Sequence, residues 1–202
     1  MNYVALAIAL LTSAGCSFLG SKEDPKASFD FGSLGAEVSQ PHSSDSPAAR
    51  VVIADIKAPA WIDSPSMYYR LAYRNAAQPI PYARSQWVMS PADLLTQRLR
   101  STVEASIAGD VHRAAAGTPE FLTLRSELVD FEQVFDEPDR SRGVLRLRAT
   151  LSGDGVWAQR TFTIEKPAPK ADAAGGVTAL IQCADELAAQ LDAWVSANRR
   201  QR

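Results

Sequence analysis

Hydrophobic residues in the first half of the chain recur in short runs that predict β-strands. Residues 51–56 are nearly all apolar and rich in β-branched side chains, which is typical of a strand buried on both faces of its sheet. A further strand is predicted over 67–73, and a short strand or strand end over 85–89. The alternation at 29–31 favours a short edge strand.

The second half of the chain contains three longer β-patterns. Residues 121–131 indicate one strand, and residues 144–151 alternate between apolar and polar side chains. The Ser-Gly-Asp-Gly turn at 152–155 leads into a strand at 156–164, so the strands that flank this turn are predicted to form a hairpin. A second exposed hairpin connection is predicted over 136–143.

Two amphipathic helices complete the pattern. Ser90 fits the N-cap of the first helix, Pro91 its first helical position, and Asp93 the position three residues after the cap. Glycine at Gly109 favours the end of this helix, whose apolar stripe is Leu95, Leu99, Val103 and Ile107. The stripe of the last helix consists of Val177, Leu180, Ile181, Ala184, Leu187, Ala188, Leu191, Trp194 and Val195.

The order of these elements predicts a single α/β domain in which two main amphipathic helices cover a mixed β-sheet. The first helix can act as a right-handed crossover, which places a parallel pair of strands in the sheet. Cys183 falls inside the last helix and is predicted to be a small buried residue. Loops are predicted where proline, glycine and serine accumulate, over residues 32–50, 57–65, 75–81 and 166–176.

The N-terminal segment predicts secretion and lipidation. Residues 3–11 are apolar and uncharged, and Ser13-Ala14-Gly15 follow directly before Cys16. The run is too short to span a bilayer, and its small-residue exit is typical of a signal sequence. It resembles a bacterial lipobox, whose cysteine receives the acyl chains, although an ordinary N-terminal helix with a buried cysteine is the alternative. The predicted organisation is a lipoprotein signal peptide (1–15), the lipidated cysteine with a flexible tether (16–28), one domain (29–198) and a disordered tail (199–202).

Composition and charge narrow the possible functions. The formal net charge is −2 and the isoelectric point is about 5.7, which does not indicate a nucleic-acid partner or a polybasic membrane patch. The hydrophobic fraction of 46% is that of an ordinary globular protein. The chain has two cysteines, so lipidation of Cys16 leaves Cys183 without a disulfide partner.

Residues that could carry catalysis are sparse. The two histidines, His42 and His112, stand in no known nucleophile motif, and the sequence has no metal-ligand spacing and no glycine-rich phosphate loop after a strand. Asp130 and Glu132 lie on one face of a predicted strand, where they could act as acid and base or simply be a solvated pair. We expect a protein that is not an enzyme and that needs no metal and no cofactor besides the acyl chains on Cys16.

An aromatic-rich stretch is the best candidate for recognition. Trp61 and Ile62 lie in a predicted loop that Pro59 and Pro65 stiffen. Aromatic side chains in a stiff loop can serve as binding anchors, but the loop can equally fold over the sheet with Trp61 at the rim of the core. Further aromatic residues follow within a short distance, namely Tyr68, Tyr69, Tyr73, Tyr82 and Trp87.

Three stretches resemble one family. Residues 60–70, Ala-Trp-Ile-Asp-Ser-Pro-Ser-Met-Tyr-Tyr-Arg, are similar to a stretch of the ABC-type transport auxiliary lipoprotein family, which includes the paraquat-inducible lipoprotein of the Pqi system. Residues 87–95 resemble the run before that family's first helix, and 129–132 its central strand. The lipobox agrees with the family's usual start, whereas 29–31 departs from its Tyr-x-Leu opening.

The resemblance implies a place in the cell envelope. Members accompany MCE-domain (mammalian cell entry) ABC transporters of Gram-negative bacteria, so this chain is expected to dock the transport tunnel at the outer membrane, facing the periplasm, in intermembrane lipid transport. Ser17, directly after Cys16, is unlike the aspartate that commonly retains lipoproteins in the inner membrane. The expected partners are an MCE-domain protein, the membrane through the lipid anchor and further copies of the chain, with no nucleic acid.

The aromatic loop is the candidate contact region. Trp61 and Ile62 are expected to touch a neighbouring copy or the MCE-domain partner, with Asp63 and Arg70 setting the register. A periplasmic lipid-binding carrier with an apolar pocket between helix and sheet is the alternative, and the missing nucleophile motif weighs against an envelope hydrolase. The full set of candidate partner-binding residues is Trp61, Ile62, Asp63, Pro65, Tyr68, Arg70 and Trp87.

Overall fold

The structure is a computed structural model in which a large part of the chain is described, namely residues 25–32, 50–107, 121–153 and 155–199. Some sequence predictions concern residues outside this part: the signal peptide, Cys16, most of the tether, most of the loop at 32–50 with His42, Gly109, His112 and the tail after Arg199. No helix among the described residues is both long and apolar enough to cross a membrane.

Seven strands and three helices of the described residues form the α/β domain that the sequence predicted. In chain order they are β1 (Ala27–Phe29), β2 (Arg50–Ile53), β3 (Ser66–Leu71), α1 (Ala72–Asn75), β4 (Pro79–Trp87), α2 (Pro91–Ile107), β5 (Phe121–Glu137), β6 (Arg140–Gly153), β7 (Val156–Pro167) and α3 (Ala173–Arg199).

Strand β5 is the central strand of a mixed sheet with the order β1-β4-β3-β5-β6-β7. The N-terminal half of β5 pairs with β2 and its C-terminal half pairs with β3, both in parallel. Strands β1 and β4 are also parallel, whereas β3–β4, β5–β6 and β6–β7 are antiparallel. The mixed sheet and its parallel pairs confirm the predicted fold class.

The turn predicted at 152–155 is confirmed as the end of the β6–β7 hairpin. Gly153 and Gly155 adopt positive φ angles of 131° and 75°, which glycine tolerates because it has no Cβ. From this turn the two strands pair over twelve consecutive residue pairs without a register shift.

The connection predicted over 136–143 is much shorter in the structure. Strands β5 and β6 continue until only Pro138 and Asp139 separate them. Charged side chains in this stretch had indicated a loop, but Arg142 pairs with Asp136 on the neighbouring strand. Opposite charges across a strand pair favour the ladder, and this pairing is not visible from one strand's sequence alone.

The prediction that residues 51–56 are buried on both sheet faces is wrong. The strand β2 covers only Arg50–Ile53, and Val52 is 48% exposed. Among the described strands β2 pairs with β5 alone, so it lies at an edge. The β-branched content of this run reflects strand propensity and not double burial.

The connection predicted over 75–81 is also largely wrong. The helix α1 replaces the end of the strand predicted at 67–73, and β4 already begins at Pro79. Proline fits at Pro79 and Pro81 because no described strand pairs with the outer side of β4 before Ser85. An edge position of this kind needs no N–H donor.

The predicted start of α2 is confirmed. The Asp93 N–H donates to Ser90 Oγ at 3.2 Å, and the Ser90 hydroxyl donates to Asp93 Oδ2 at 2.8 Å. These two bonds satisfy the helix terminus as a capping motif does. The stripe residues Leu95 and Leu99 are fully buried, as expected from their spacing.

The helix α3 packs lengthwise on β5, β6 and β7, with α2 beside it. Its predicted stripe is buried throughout, apart from the partly buried Ile181 and Trp194. A Cβ at Gly143 would lie 3.0 Å from the Ala179 backbone, so glycine on β6 allows the helix to approach closely. Cys183 is buried as predicted, and this burial raises the pKa of its thiol to about 12.

Candidate partner-binding surface

Side chains on β-strands alternate between two sides, so the sheet has a face covered by α2 and α3 and an opposite one, the open face. Residues that lie opposite each other on β5, β6 and β7 form rows across the open face: Thr123–Ser152–Trp157, Arg125–Thr150–Gln159, Glu127–Arg148–Thr161, Asp130–Arg146–Thr163 and Glu132–Val144–Glu165. The side chains of these rows are exposed or half-buried, except for Glu132 and Val144, which are buried.

Ion pairs connect neighbouring strands on the open face. Arg148 lies 3.0 Å from Glu127, and Arg146 lies 3.1 Å from Asp130. Such exposed pairs contribute little to stability, about 0.2–1 kcal/mol each. Sequence alternation on β6 had placed these arginines on one side, but their acidic partners lie far away along the chain.

Arg70 and Glu132 form the most buried ion pair of this face. Arg70 Nε donates to Glu132 Oε1 at 2.8 Å, and Arg70 Nη1 donates to the carbonyl of Ala76 at 2.7 Å. Glu132 Oε2 is buried without a hydrogen-bond partner among the described residues. Burial therefore raises the pKa of Glu132 above its ordinary value, although the hydrogen bond and charge of Arg70 act in the opposite direction.

These contacts bear on two interpretations made from the sequence. Arg70, a candidate for setting the register with a partner, is already engaged within the domain by Glu132 and Ala76. Asp130 and Glu132 do share one face, but each is paired with an arginine and neither is a free acid or base. Within the described ranges, no three His, Cys, Asp or Glu side chains group as metal ligands.

The loop at residues 57–65 is held against β5 by its main chain. The Lys57 N–H donates to the Ser126 carbonyl at 3.0 Å, and the Leu128 N–H donates to the Lys57 carbonyl at 2.7 Å. The N–H groups of Ile62 and Asp63 both donate to the Pro59 carbonyl at 3.0 Å, which closes a tight turn. The loop is therefore a fixed part of the domain surface.

Two candidate residues belong to the core, and assigning them to a partner surface is incorrect. Ile62 and Trp87 are each 1% exposed. The Trp87 ring contacts Phe31 and Phe131, with centroid distances of 5.7 and 5.5 Å. Side chains used in this way cannot reach a partner without opening the fold.

The remaining candidates lie at the surface. Asp63 and Pro65 are exposed, while Trp61 and Tyr68 are half-buried. The rings of Trp61 and Tyr68 meet edge to face with centroids 5.4 Å apart, an arrangement that favours a rigid pair. Trp61 thus combines both interpretations, since one side of it packs on the domain and the rest is accessible. Its contact with a partner stays a prediction.

A cleft at the end of β1 is the candidate for a lipid pocket among the described residues. It has a volume of about 300 Å³, at the lower limit of ligand sites. Its lining includes Asp30, Gln97, Arg98 and Ser101 alongside Phe31, Gly32 and Leu94. The charged and polar side chains in this mixed lining do not favour acyl chains, and the space between α3 and the sheet is filled by leucine side chains of the core.

One exposed aromatic residue was missed among the candidates. Trp157 on β7 is 72% exposed and lies next to the β6–β7 turn. The alternation of residues 156–164 indicated this exposure, because Trp157 lies on the same face of the strand as the polar residues Gln159, Thr161 and Thr163. An apolar side chain on a polar face is more informative than one on an apolar face.

Family comparison agrees with the resemblance found in the sequence. The family model for the ABC-type transport auxiliary lipoprotein component matches residues 33–192, and the chain belongs to this family. It is therefore an auxiliary component of ABC-type transport. No curated protein matches the chain.

Solved structures share the fold. A crystal structure of a Xanthomonas campestris protein assigned to the DUF330 family has a TM-score of 0.62 and 22% identity, covering 81% of this chain and 90% of that one. A crystal structure of an uncharacterised protein has a TM-score of 0.65 and 14% identity, covering 85% and 99%. At these identities the similarity establishes the fold alone.

Proposed function

We propose that this chain is the lipid-anchored, periplasmic auxiliary subunit of an MCE-type ABC transporter. In this role it docks the transport tunnel at the outer membrane and supports lipid transport between the membranes. The observation that carries the proposal is the family match over residues 33–192. The lipobox-like sequence that ends at Cys16 supports the anchored state.

The proposed anchor is strong enough to make membrane attachment permanent. Burial of acyl chains contributes about 0.8 kcal/mol per methylene, so three chains on Cys16 contribute on the order of 30 kcal/mol in total. Ser17 in place of a retaining aspartate favours the outer membrane. The membrane then restricts the domain to a thin layer in which partners meet at high effective concentration.

The proposed docking surface consists of Trp61, Asp63, Pro65 and Tyr68. Because the Pro59 turn and the ring contact with Tyr68 already fix Trp61, little conformational entropy is lost on binding. Tryptophan is also among the residues that contribute most at protein interfaces.

Co-purification from membranes tests the proposal. The full-length chain is crosslinked in cells, purified and analysed by mass spectrometry, and an MCE-domain protein is the expected partner. Trp61→Ala combined with Asp63→Lys should reduce this partner, whereas Asp139→Lys in the distant β5–β6 turn should not. Recovery of a transporter without an MCE domain would contradict the MCE assignment, and equal recovery with both variants would contradict the docking surface.

A further inference from the structure

The half of the open face nearest the β6–β7 turn carries more cations than acids. Its three rows contain Arg125 on β5 and Arg148 on β6, and Lys57 lies beside β5 through a bridge to Glu127. Glu127 is the one acid among the described side chains of these rows, and it pairs with Arg148 at 3.0 Å. This half therefore has an excess of positive charge, although the formal net charge of the whole chain is −2.

Arg125 keeps most of its hydrogen-bonding capacity for a ligand. The side chain is exposed, and its Nη1 donates to Ser152 Oγ at 3.1 Å. Among the described residues it forms no ion pair with an acid. A guanidinium has five N–H donors and can bind a carboxylate through two of them at once. Arg125 is thus a cation that lacks an anionic partner within the described part of the domain.

The other half of the open face differs in this respect. There the arginines have acidic partners on neighbouring strands, since Arg146 pairs with Asp130 and Arg70 pairs with Glu132. A carboxylate that approached these arginines would also meet the acids already bound to them. An anionic ligand is therefore favoured beside Arg125.

Exposed apolar side chains lie next to these cations. Trp157 is 72% exposed on β7 and Val52 is 48% exposed on β2. Both belong to one row, because Val52 pairs with Thr123 and Trp157 pairs with Ser152. Four neighbouring strands separate the ends of this row by roughly 14 Å, which about four residues of an extended chain can span.

We infer that the Trp157 surface, which consists of Val52, Arg125, Arg148 and Trp157, binds an acidic segment of a protein partner. Carboxylates of this segment bind the two arginines, and an apolar side chain packs on Trp157. Tryptophan and arginine are the residue types that contribute most at protein interfaces. The inference rests on the proposed function and deepens it, because it adds the chemistry of the partner and a contact separate from Trp61.

The direction of β1 favours a protein over the anchoring membrane as the occupant. Strand β1 is parallel to β4, β4 is antiparallel to β3, and β3 is parallel to β5, so β1 runs opposite to β5. The chain therefore enters β1 from the side where β5 ends, at Glu137, whereas the row of Trp157 crosses the start of β5 at Thr123. These two levels of β5 are roughly 45 Å apart at about 3.3 Å per residue. The proposed tether thus comes from one end of the sheet, and the Trp157 surface lies at the other.

Photocrosslinking in cells identifies the occupant of this surface on the full-length, lipid-anchored chain. Gln159 is exposed and lies in the row of Arg125, beside Trp157 on the same face, so a benzophenone amino acid in its place reaches whatever covers the surface. The expected product is a crosslink to a protein segment with a net negative charge. The same group in place of the exposed Ala83 on β4 should not give this product. A crosslink to lipid, to this chain itself or to a neutral or basic segment would overturn the inference, as would no crosslink.

Charge variants test the role of Arg125, with a synthetic peptide of the crosslinked segment as the probe. Arg125→Glu should weaken binding of the peptide about tenfold or more, because it loses a charge-assisted hydrogen bond and adds repulsion. Arg125→Lys should keep most of the affinity, and added salt should weaken binding to the wild type. Arg84→Glu makes the same change of charge at an exposed residue of β4 and should leave the affinity unchanged. Equal effects of the two glutamate variants would overturn the inference.

The results also separate this inference from the proposed function. An acidic segment that belongs to a protein without an MCE domain would support the inference and contradict the MCE assignment. An MCE-domain protein that crosslinks at Gln159 equally well in the presence of Arg125→Glu would support the assignment and contradict the inference. Melting temperatures of the variants should equal that of the wild type, because Arg125 and Arg84 are both exposed.

Discussion

The two faces of the sheet use the same strands for different purposes. On the helix-covered face, Leu124, Leu147 and Leu151 are fully buried beneath the helices, and burial of such side chains supplies most of the folding free energy. On the open face, arginine and acidic residues form ion pairs that remain largely in contact with water. Substitutions on the open face can therefore change recognition with little effect on folding.

The largest expected difference in stability is between substitutions of the buried Trp87 and of the exposed Trp157. Trp87→Ala should lower the free energy of unfolding by about 3–5 kcal/mol, because it empties a fully packed site. Trp157→Ala should change it by no more than about 0.5 kcal/mol, because this side chain is mostly exposed. Urea denaturation of both variants measures the difference, and similar losses would contradict the distinction between a core tryptophan and a surface tryptophan.

The stripe of α3 should be nearly as sensitive. Leu187 is fully buried against the sheet, so Leu187→Ala should cost about 2–5 kcal/mol. Ala189 on the exposed side of the same helix provides a matched control, since Ala189→Ser should cost less than about 0.5 kcal/mol. A loss below that limit for Leu187→Ala would show that α3 is peripheral to the core.

The Arg70–Glu132 pair lies between the two extremes. Glu132→Ala leaves Arg70 without its partner in a largely buried site, and we expect a loss of about 3 kcal/mol. The double variant Arg70→Met, Glu132→Leu removes both charges and should recover most of that loss. If the double variant is as unstable as the single one, the pair is not coupled in this way.

Glu132 should also make stability depend on pH in a defined direction. Its pKa is raised from the ordinary 4.5, so the folded state holds this proton more tightly than the unfolded state. Its contribution is therefore present below pH 4.5 and is lost as the pH rises through the higher folded value. Relative to the Glu132→Gln variant, the wild type should lose free energy of unfolding as the pH rises from 4.5 through the higher pKa of folded Glu132. A parallel course of both proteins would contradict the assignment.

The smallest effect is expected for the exposed ion pairs. Arg148→Ala removes the contact with Glu127 and should cost about 0.2–1 kcal/mol, decreasing as salt is added. Double-mutant cycles with Glu127→Ala isolate the pair. A coupling free energy above about 2 kcal/mol between Arg148 and Glu127 would contradict the view that ion pairs of the open face contribute little to stability.

Local signals in the sequence were sufficient for the start of α2, the apolar stripe of α3 and the β6–β7 hairpin. Ser90, Pro91 and Asp93 define a helix start by contacts within one turn, and Gly153 and Gly155 define a turn in the same way. The stripe of α3 needed only its own spacing. Short-range chemistry fixes these elements whatever lies around them.

Long-range contacts explain what the sequence left undecided. Trp87 appeared to be a surface candidate because its neighbours Phe31 and Phe131 lie more than forty residues away in the chain. Arg70 appeared free because its partner Glu132 lies on another strand. The extension of β5 was missed because the partner of Asp136 is Arg142 on β6. The row that joins Val52 and Trp157 could not be recognised before the strand order was known.

The attachment of β1 has a mechanical consequence for the proposed anchoring of the domain through its N-terminus. Strand β1 pairs with β4 in parallel. A pull on Lys26 that is directed along β1 therefore loads the β1–β4 hydrogen bonds together in shear instead of opening them one after another. After this strand, the Phe31 ring contacts the rings of Trp87 and Phe131. Arg98 donates a hydrogen bond to the Phe31 carbonyl and also forms an ion pair with Asp185 of α3. A force that reaches the domain through the tether is thus transmitted to the hydrophobic core, and β1 does not carry it alone.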